Sequence, residues 1–259
     1  MIAVLLAAGV TGAVSISVLD RTGAMVTDLR AEEVTLKEAG QTRAIQRVER
    51  DRRPLALAVL VDSSEALGKG FLRDLADPVM DFLESLPPDV DRTLMTIGTP
   101  PEVVSLQDPV QSRTALRATP PFGKLSLYDG IAEACNRLAH RRASRRAIVV
   151  VMTDRFAEDD RQKALDAAAR AMPVVLAVQF QGAGDYASGL DSIVRWSGGR
   201  YEQIGAASGV GKTLKKLAPE LDAPWLVVYE TPSAAEKRSI EVKVARKDTK
   251  VRVRPAGLP

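Results

Sequence analysis

The stretch "LAVLVDSSEAL", residues 57–67, begins as an unbroken apolar run and changes without transition to Asp62, Ser63, Ser64 and Glu65. A run with no polar face suits a strand covered on both sides. The acidic, hydroxyl-rich switch marks its carboxyl end and the loop into a helix. Compact apolar runs of the same kind cover residues 55–61, 92–97, 147–152 and 173–178. Between the first two, Leu67, Phe71, Leu75, Val79, Phe82 and Leu86 recur at helical spacing, with Pro78 expected to kink the helix. Further helices are expected over 112–118, 127–140, 159–171, 186–196 and 208–221. Strands alternating with helices predict an α/β class, with a doubly wound, mostly parallel, Rossmann-like sheet over residues 54–222.

The rhythm differs on either side. Residues 14–53 hold short alternating segments broken by turn signals such as Asp20 to Gly23, and residues 224–255 hold "WLVVYE", "RSIEVKVARK" and "KVRVRP". Strict alternation at Ile240, Val242 and Val244 buries one face and wets the other. Each flank is too short to fold alone, so both chain ends are expected to join in one small β-sandwich. The first residues, 1–13, leave two readings open: an apolar export-signal remnant without a basic start, or a first strand. The corresponding locations are an exported one, periplasmic or extracellular, or the cytoplasm. This apolar segment is too short to span a bilayer, and no integral membrane segment is expected.

With 36 Lys and Arg against 33 Asp and Glu, the net charge is only +3, and aromatic residues make up 4% of the chain. That offers no stacking platform, so no nucleic-acid partner is expected. The densest basic cluster, Arg137, Arg141, Arg142, Arg145 and Arg146, reads as a solvated helix C-terminus. Cys135 is the single cysteine and sits in an apolar context, and His140 is the single histidine. Sites needing several imidazoles are therefore excluded, and His-dependent nucleophilic catalysis would have to rest on one residue inside an arginine-rich segment.

Ligands of open parallel sheets bind outside the carboxyl ends of the strands. Asp62 stands at one such end, and Thr153 and Asp154 at another. If the two strands are neighbours, carboxylates about 5 Å apart at an effective dielectric of ~20 repel by ~3 kcal/mol, which calls for a nearby cation. Asp129 is expected to cap or begin a helix, and Glu158, Asp159 and Asp160 to form an acidic first turn.

A strand ending in Asp-x-Ser-x-Ser, a later "GKLSLYDG" and a strand ending in Thr-Asp together resemble the von Willebrand factor type A domain and its metal-ion-dependent adhesion site. The order of elements from Val14 to Arg254 is similar to that of the bacterial VWFA-related family. The resemblance implies metal ligands at Asp62, Ser64 and Asp154. It also exposes departures: Ala66 stands in place of the second serine, Leu125 in place of the threonine with Ser126 one position off, and Arg155 in place of glycine. Mg²⁺ requires near-octahedral oxygen coordination, so these losses imply no resident cofactor and at most weak Mg²⁺ or Mn²⁺ binding. Arg155, or else Lys124, is a candidate cation against Asp62 and Asp154.

The resemblance thus implies a non-catalytic protein–protein interaction module. Its partner-binding loops are expected to use Ser63, Glu65, Lys124, Ser126, Arg155 and Glu158, and the basic groups permit an acidic partner. Three alternatives stay open: an intact Mg²⁺-dependent ligand-binding domain, a structural scaffold in a larger assembly, and a nucleotide-binding enzyme. The last rests on residues 206–213, a relaxed P-loop pattern with Lys212 and Thr213. A P-loop follows an early strand of its sheet, whereas only 46 residues follow Thr213. This stretch is better read as a loop feeding the last amphipathic helix, with no nucleotide site.

Overall fold

A computed structural model describes residues 10–65, 71–153, 160–180, 188–232 and 239–254. The chain divides into two compact units, Met1–Arg52 with Ala223–Pro259, and Arg53–Asp222.

The unit Arg53–Asp222 is built on β5 (Leu55–Val61), β6 (Asp91–Thr96), β7 (Glu102–Val104), β8 (Arg145–Thr153), β9 (Val174–Phe180) and β10 (Arg200–Ile204). They form one sheet in the order β10-β9-β8-β5-β6-β7. All neighbours are parallel except β7, which returns antiparallel to β6. Side chains alternate across β5: Leu55, Leu57, Val59 and Val61 enter one core and Ala56, Ala58 and Leu60 the other. The first core is closed by α1 (Phe71–Ser85), α2 (Pro109–Ala118) and α6 (Val210–Asp222), and the second by α3 (Leu127–Ala139), α4 (Arg161–Ala171) and α5 (Ser188–Trp196). Small residues dominate where α4 meets the sheet, with Ala164, Ala167, Ala168 and Ala171 all turned inward.

The expected helices are present with shifted ends. α2 starts earlier than its apolar spacing suggested because Asp108 caps it, accepting from the N–H groups of Val110 and Gln111, with Pro109 in the first turn. Asp160 likewise caps α4, accepting from Gln162 and Lys163, while Asp159 and Glu158 lie outside the described residues. Asp129 is not a cap; it lies in the first turn of α3 and binds Lys163 Nζ at 2.6 Å. The arginine cluster also needs correcting, because two of its members begin β8, are half-buried and bond within the fold. Arg145 donates to the carbonyls of Arg53, Leu221 and Asp222, and Arg146 to those of Leu138 and Ala171. Leu138, Ala171, Leu221 and Asp222 lie in the last turns of α3, α4 and α6, where carbonyls lack the usual intrahelical partner. Burial pushes the Cys135 thiol up to about 12.

The other unit is a two-sheet sandwich. β1 (Val10–Leu19), β4 (Ile45–Arg50), β11 (Trp225–Thr231) and β13 (Lys250–Arg254) form an antiparallel sheet in the order β13-β1-β11-β4. β2 (Val34–Glu38), β3 (Gln41–Arg43) and β12 (Ile240–Val244) form the second. Val14, Ile16 and Val18 of β1 meet Leu36 of β2 and Val242 of β12 in the shared core. Both chain ends therefore contribute strands to each other's sheets. Val10 to Ala13 pair with Thr231 to Val228, which makes them strand, while residues 1–9 lie outside the described set. No helix among the described residues is long and apolar enough to cross a membrane.

A bidentate ion pair joins two distant segments of this unit, with Arg246 Nε and Nη2 on Glu33 Oε1 and Oε2 at 2.5 and 2.7 Å. That pairing, helped by the Arg30 N–H, holds the Glu33 carboxyl at about 2, down from 4.5. A depressed carboxylate pKa contributes stability above its unfolded value and loses it as pH falls through the folded one. The contribution of Glu33 is therefore expected to be complete above pH 4.5 and to fade toward pH 2. In Arg246→Gln, carboxyl NMR titration is expected to find Glu33 back near its ordinary range; an unchanged midpoint would assign the depression to the Arg30 N–H instead.

Candidate functional site

Winding from β5 outward to β6 and then back to β8 places a topological switch between β5 and β8. At such a point the loops at the strand ends diverge and leave a crevice. Asp62 continues β5 by one residue, its N–H donating to Val151 O at 2.9 Å. Its carboxylate is fully buried and engaged on both oxygens. Oδ1 accepts from the Ser64 N–H at 2.9 Å. Oδ2 accepts from the Thr153 hydroxyl at 2.6 Å and the Thr153 N–H at 3.1 Å. Thr153 ends β8, so the carboxylate ties the two strand ends together across the crevice.

The described donors to Asp62 are thus neutral. Lys124, the second candidate cation, is not among these donors. Asp154, Arg155 and Ala66 lie outside the described residues.

Three loops meet over this point. The Phe122 N–H donates to Ser63 O at 2.9 Å and the Glu65 N–H to Gly123 O at 3.0 Å, so residues 122–123 and 63–65 run as a short paired ribbon. The close approach depends on glycine: a Cβ at Gly98 would lie 2.8 Å from both Phe122 O and Ser63 Oγ. Gly123 adopts φ +65°, which disfavours any side chain there. Thr99 closes the third side, donating to Lys124 O at 2.7 Å and lying 3.0 Å from Ser126 Oγ. Ser126 is thus a buried loop clasp at the start of α3. Leu125 is buried in the core shared with α3 and α4, so the residue in the threonine position supplies packing and no oxygen.

Ser64 Oγ behaves differently from its neighbours: it is fully buried and has no hydrogen-bond partner among the described residues. A buried orphan hydroxyl beside a buried carboxylate is what an ion-binding site leaves when its ion is not counted. Among the other described residues of the implied site, Asp62 has both oxygens on protein donors and Leu125 offers no oxygen ligand from its side chain. Among the described residues, no three His, Cys, Asp or Glu side chains converge on a point that could hold a metal. His140 follows α3 at the opposite end of the sheet from Asp62, so no imidazole is placed to activate Ser63 or Ser64.

Sequence reasoning overlooked an exposed aromatic ring on this face. Phe122 is 64% exposed, while its backbone is pinned to Ser63 and that of the next residue to Glu65. An aromatic ring held out from a fixed loop carries little ordering cost on binding. The signal was available in "TPPFGK", a phenylalanine between two prolines and a glycine with no periodicity to bury it.

The glycine-rich 206–213 stretch follows β10, an edge strand, and leads through a 3₁₀ turn into α6. Gly205, Gly209 and Gly211 all lack positive φ, so the backbone makes no anion-cradling nest of alternating handedness. Lys212 is exposed and Thr213 is buried.

No family model matches the sequence, and no curated protein matches it either. Solved structures do match. A von Willebrand factor type A protein from Catenulispora acidiphila aligns with a TM-score of 0.59 at 6% identity, over 95% of this chain and 73% of its own. The SpRpn10 VWA domain aligns at 0.51 and 21% identity, over 65% of this chain and 97% of its own. The vWF domain of the type V pili tip protein Mfa5 from Porphyromonas gingivalis aligns at 0.51 and 11% identity, over 66% of this chain and 96% of its own. Likeness at such identities is likeness of fold, and it agrees with the strand order and the switch point that carries Asp62: this chain has a von Willebrand factor type A-like fold.

Proposed function

We propose that the chain is a non-catalytic protein–protein interaction module that recognises its partner through the loop face over Asp62, and that its metal-ion-dependent adhesion site has decayed. One observation supports the reading: both oxygens of the Asp62 carboxylate are engaged by protein donors, the Ser64 N–H and the Thr153 N–H and hydroxyl. Recognition then falls to groups the loops expose, namely Phe122 with Glu65 and Lys124 beside it, joined in the proposal by Arg155 and Glu158; Ser63 and Ser126, expected among the contact residues, are buried and instead hold the loops together. The described loops set Lys124 against Glu65, so preference for an acidic partner rests on Arg155. Among proteins of similar fold is a pilus tip component, in keeping with an adhesive role for this chain.

The orphan Ser64 Oγ favours a second reading, an ion-dependent version of the same module. Calorimetric titration with Mg²⁺ and Mn²⁺ separates the two. The proposal expects no binding tighter than about millimolar, the weak end of hard-cation sites. Micromolar binding that disappears in Asp62→Ala would establish the second reading. Recognition itself is tested by a photo-crosslinking phenylalanine analogue at position 122 in the native host: discrete protein adducts are expected there and not at the exposed Val110. Equal labelling from both positions would count against a loop-face partner and leave the scaffold reading.

A further inference from the structure

α2 is attached to its neighbours differently from the other helices. Of its ten residues only Ser112 and Leu116 are buried, so a single apolar side chain anchors it. Each of the other five helices buries at least three apolar side chains. The Ser112 hydroxyl is shared between the carbonyls of Ser105 and Asp108, inside the same segment. Departure of α2 would therefore strand no hydroxyl in the core.

Charge supplies most of the remaining attachment. Asp77, Asp81 and Glu84 recur on α1 at spacings of four and three residues, which sets them along one face. Arg113 reaches all three, Nη1 to Asp77 and Asp81 and Nη2 to Glu84, each at 3.0 Å. Arg117 Nη2 lies 2.6 Å from both oxygens of Asp77. Hydrogen bonds from Arg117 and then Arg113 hold the Asp77 carboxyl below its ordinary value. Beside these pairs the two helices do not close on each other. A cavity of about 660 Å³ lies between them, lined by Arg73, Asp74 and Thr114 as well as the paired Asp77 and Arg117. The three carboxylate side chains are 46–59% exposed, and exposed ion pairs are individually weak and screened by salt.

The two ends of the segment are fixed independently of α2. β7 pairs with β6 as far as Val104, and the Phe122 N–H on Ser63 O holds the far end. Between these anchors lies a helix shorter than the ~12–15 residues at which an isolated helix becomes even marginally stable. Contact with α1 is what keeps it helical. Segments with few buried apolar contacts open at a lower free energy than the fold as a whole.

We infer that α2 is an ionic latch: residues 105–121 open off α1 as a unit while the sheet stays folded, and the ion pairs of Arg113 and Arg117 set how often they do so. Opening bares Asp77, Asp81 and Glu84 together, so the latch governs access to this acidic stripe and responds to ionic strength. The device is independent of the loop-face reading above, because Phe122 stays pinned to Ser63 in either state.

Native-state amide exchange on the whole chain is the test. The opening constant read at Arg113 to Ala118 is expected to exceed that at Val149 to Val151 of β8 by about a hundredfold or more, as for a unit that opens below the global free energy. Arg113→Gln is expected to raise it about tenfold and Glu84→Gln about threefold, in proportion to the pairs each removes. Raising NaCl from about 0.1 to 1 M, which shortens the screening length from ~10 to ~3 Å, is expected to raise it about threefold. β8 should exchange at its parent rate in every case. Exchange of α2 at the β8 rate would overturn the proposal by making α2 part of global unfolding. An opening constant indifferent to Arg113→Gln or to salt would also overturn it, leaving Leu116 as what holds the helix. Faster exchange of β8 alongside α2 in both variants would do the same, since the ion pairs would then support the whole unit rather than a latch.

Discussion

Asp62→Ala is expected to lower the unfolding free energy by about 3–5 kcal/mol, even though Asp62 stands where a binding residue would be sought. The substitution strands three buried donors, the Ser64 N–H, the Thr153 N–H and the Thr153 hydroxyl, and each costs ~1–3 kcal/mol when left without an acceptor. Release from holding a buried charge offsets part of that sum. Asp62→Asn keeps one acceptor oxygen but turns an amide N–H₂ toward groups that already donate, so a loss of about 1–2 kcal/mol is expected. Urea unfolding at constant m reads both values. The opposite result has a specific meaning. A stabilised Asp62→Ala would show a carboxylate held at a cost to the fold, as happens where a site is kept for a ligand, and the decayed-site reading would fail with it.

The same residue shows how far the sequence could be read. Uniformly apolar runs at 55–61 and 147–152 leave little choice but strands covered on both faces, and their ends fix which residues reach the crevice. That Asp62 would be met by Thr153 was not legible, because it depends on β5 and β8 being neighbours and on the last residue of β8 turning its hydroxyl inward. Strands β7 and β10 escaped notice for a different reason. Both are short edge strands, three and five residues long, and an edge position removes the burial that makes a central strand uniformly apolar. The roles of Arg145 and Arg146 could not be read locally, since their carbonyl partners lie up to 92 residues away. Leu125 could be read only in part. Its departure from a hydroxyl residue was visible, but its place in the core beside α3 came from the packing of that helix.

Glu220→Ala is expected to cost about 3 kcal/mol, the lower end of what breaking a buried ion pair costs, because Arg200 loses its fully buried partner and keeps Glu202. Glu220 on α6 is 0% exposed and Arg200, the first residue of β10, is 6% exposed. They meet at 2.8 Å through Nη1 and Oε1, and Glu202 binds the Nε of the same guanidinium. Burial alone would lower the pKa of Arg200, but its hydrogen bonds to Glu202 and Glu220 outweigh that and raise it, so the arginine stays charged when Glu220 is removed. Replacing both members by apolar residues, as in Arg200→Met with Glu220→Leu, removes the desolvated charges together and is expected to leave stability within about 1 kcal/mol of the parent, or to raise it. The two results are informative as a set. A costly single variant with a neutral double variant means that the pair adds little net stability and instead fixes which helix closes over the β10 edge. A double variant as unstable as the single one would mean that the pair stabilises the fold directly. The first pattern is expected, because Val210, Leu214, Leu217 and Leu221 already bury the inner face of α6, leaving the ion pair to set its position against β10.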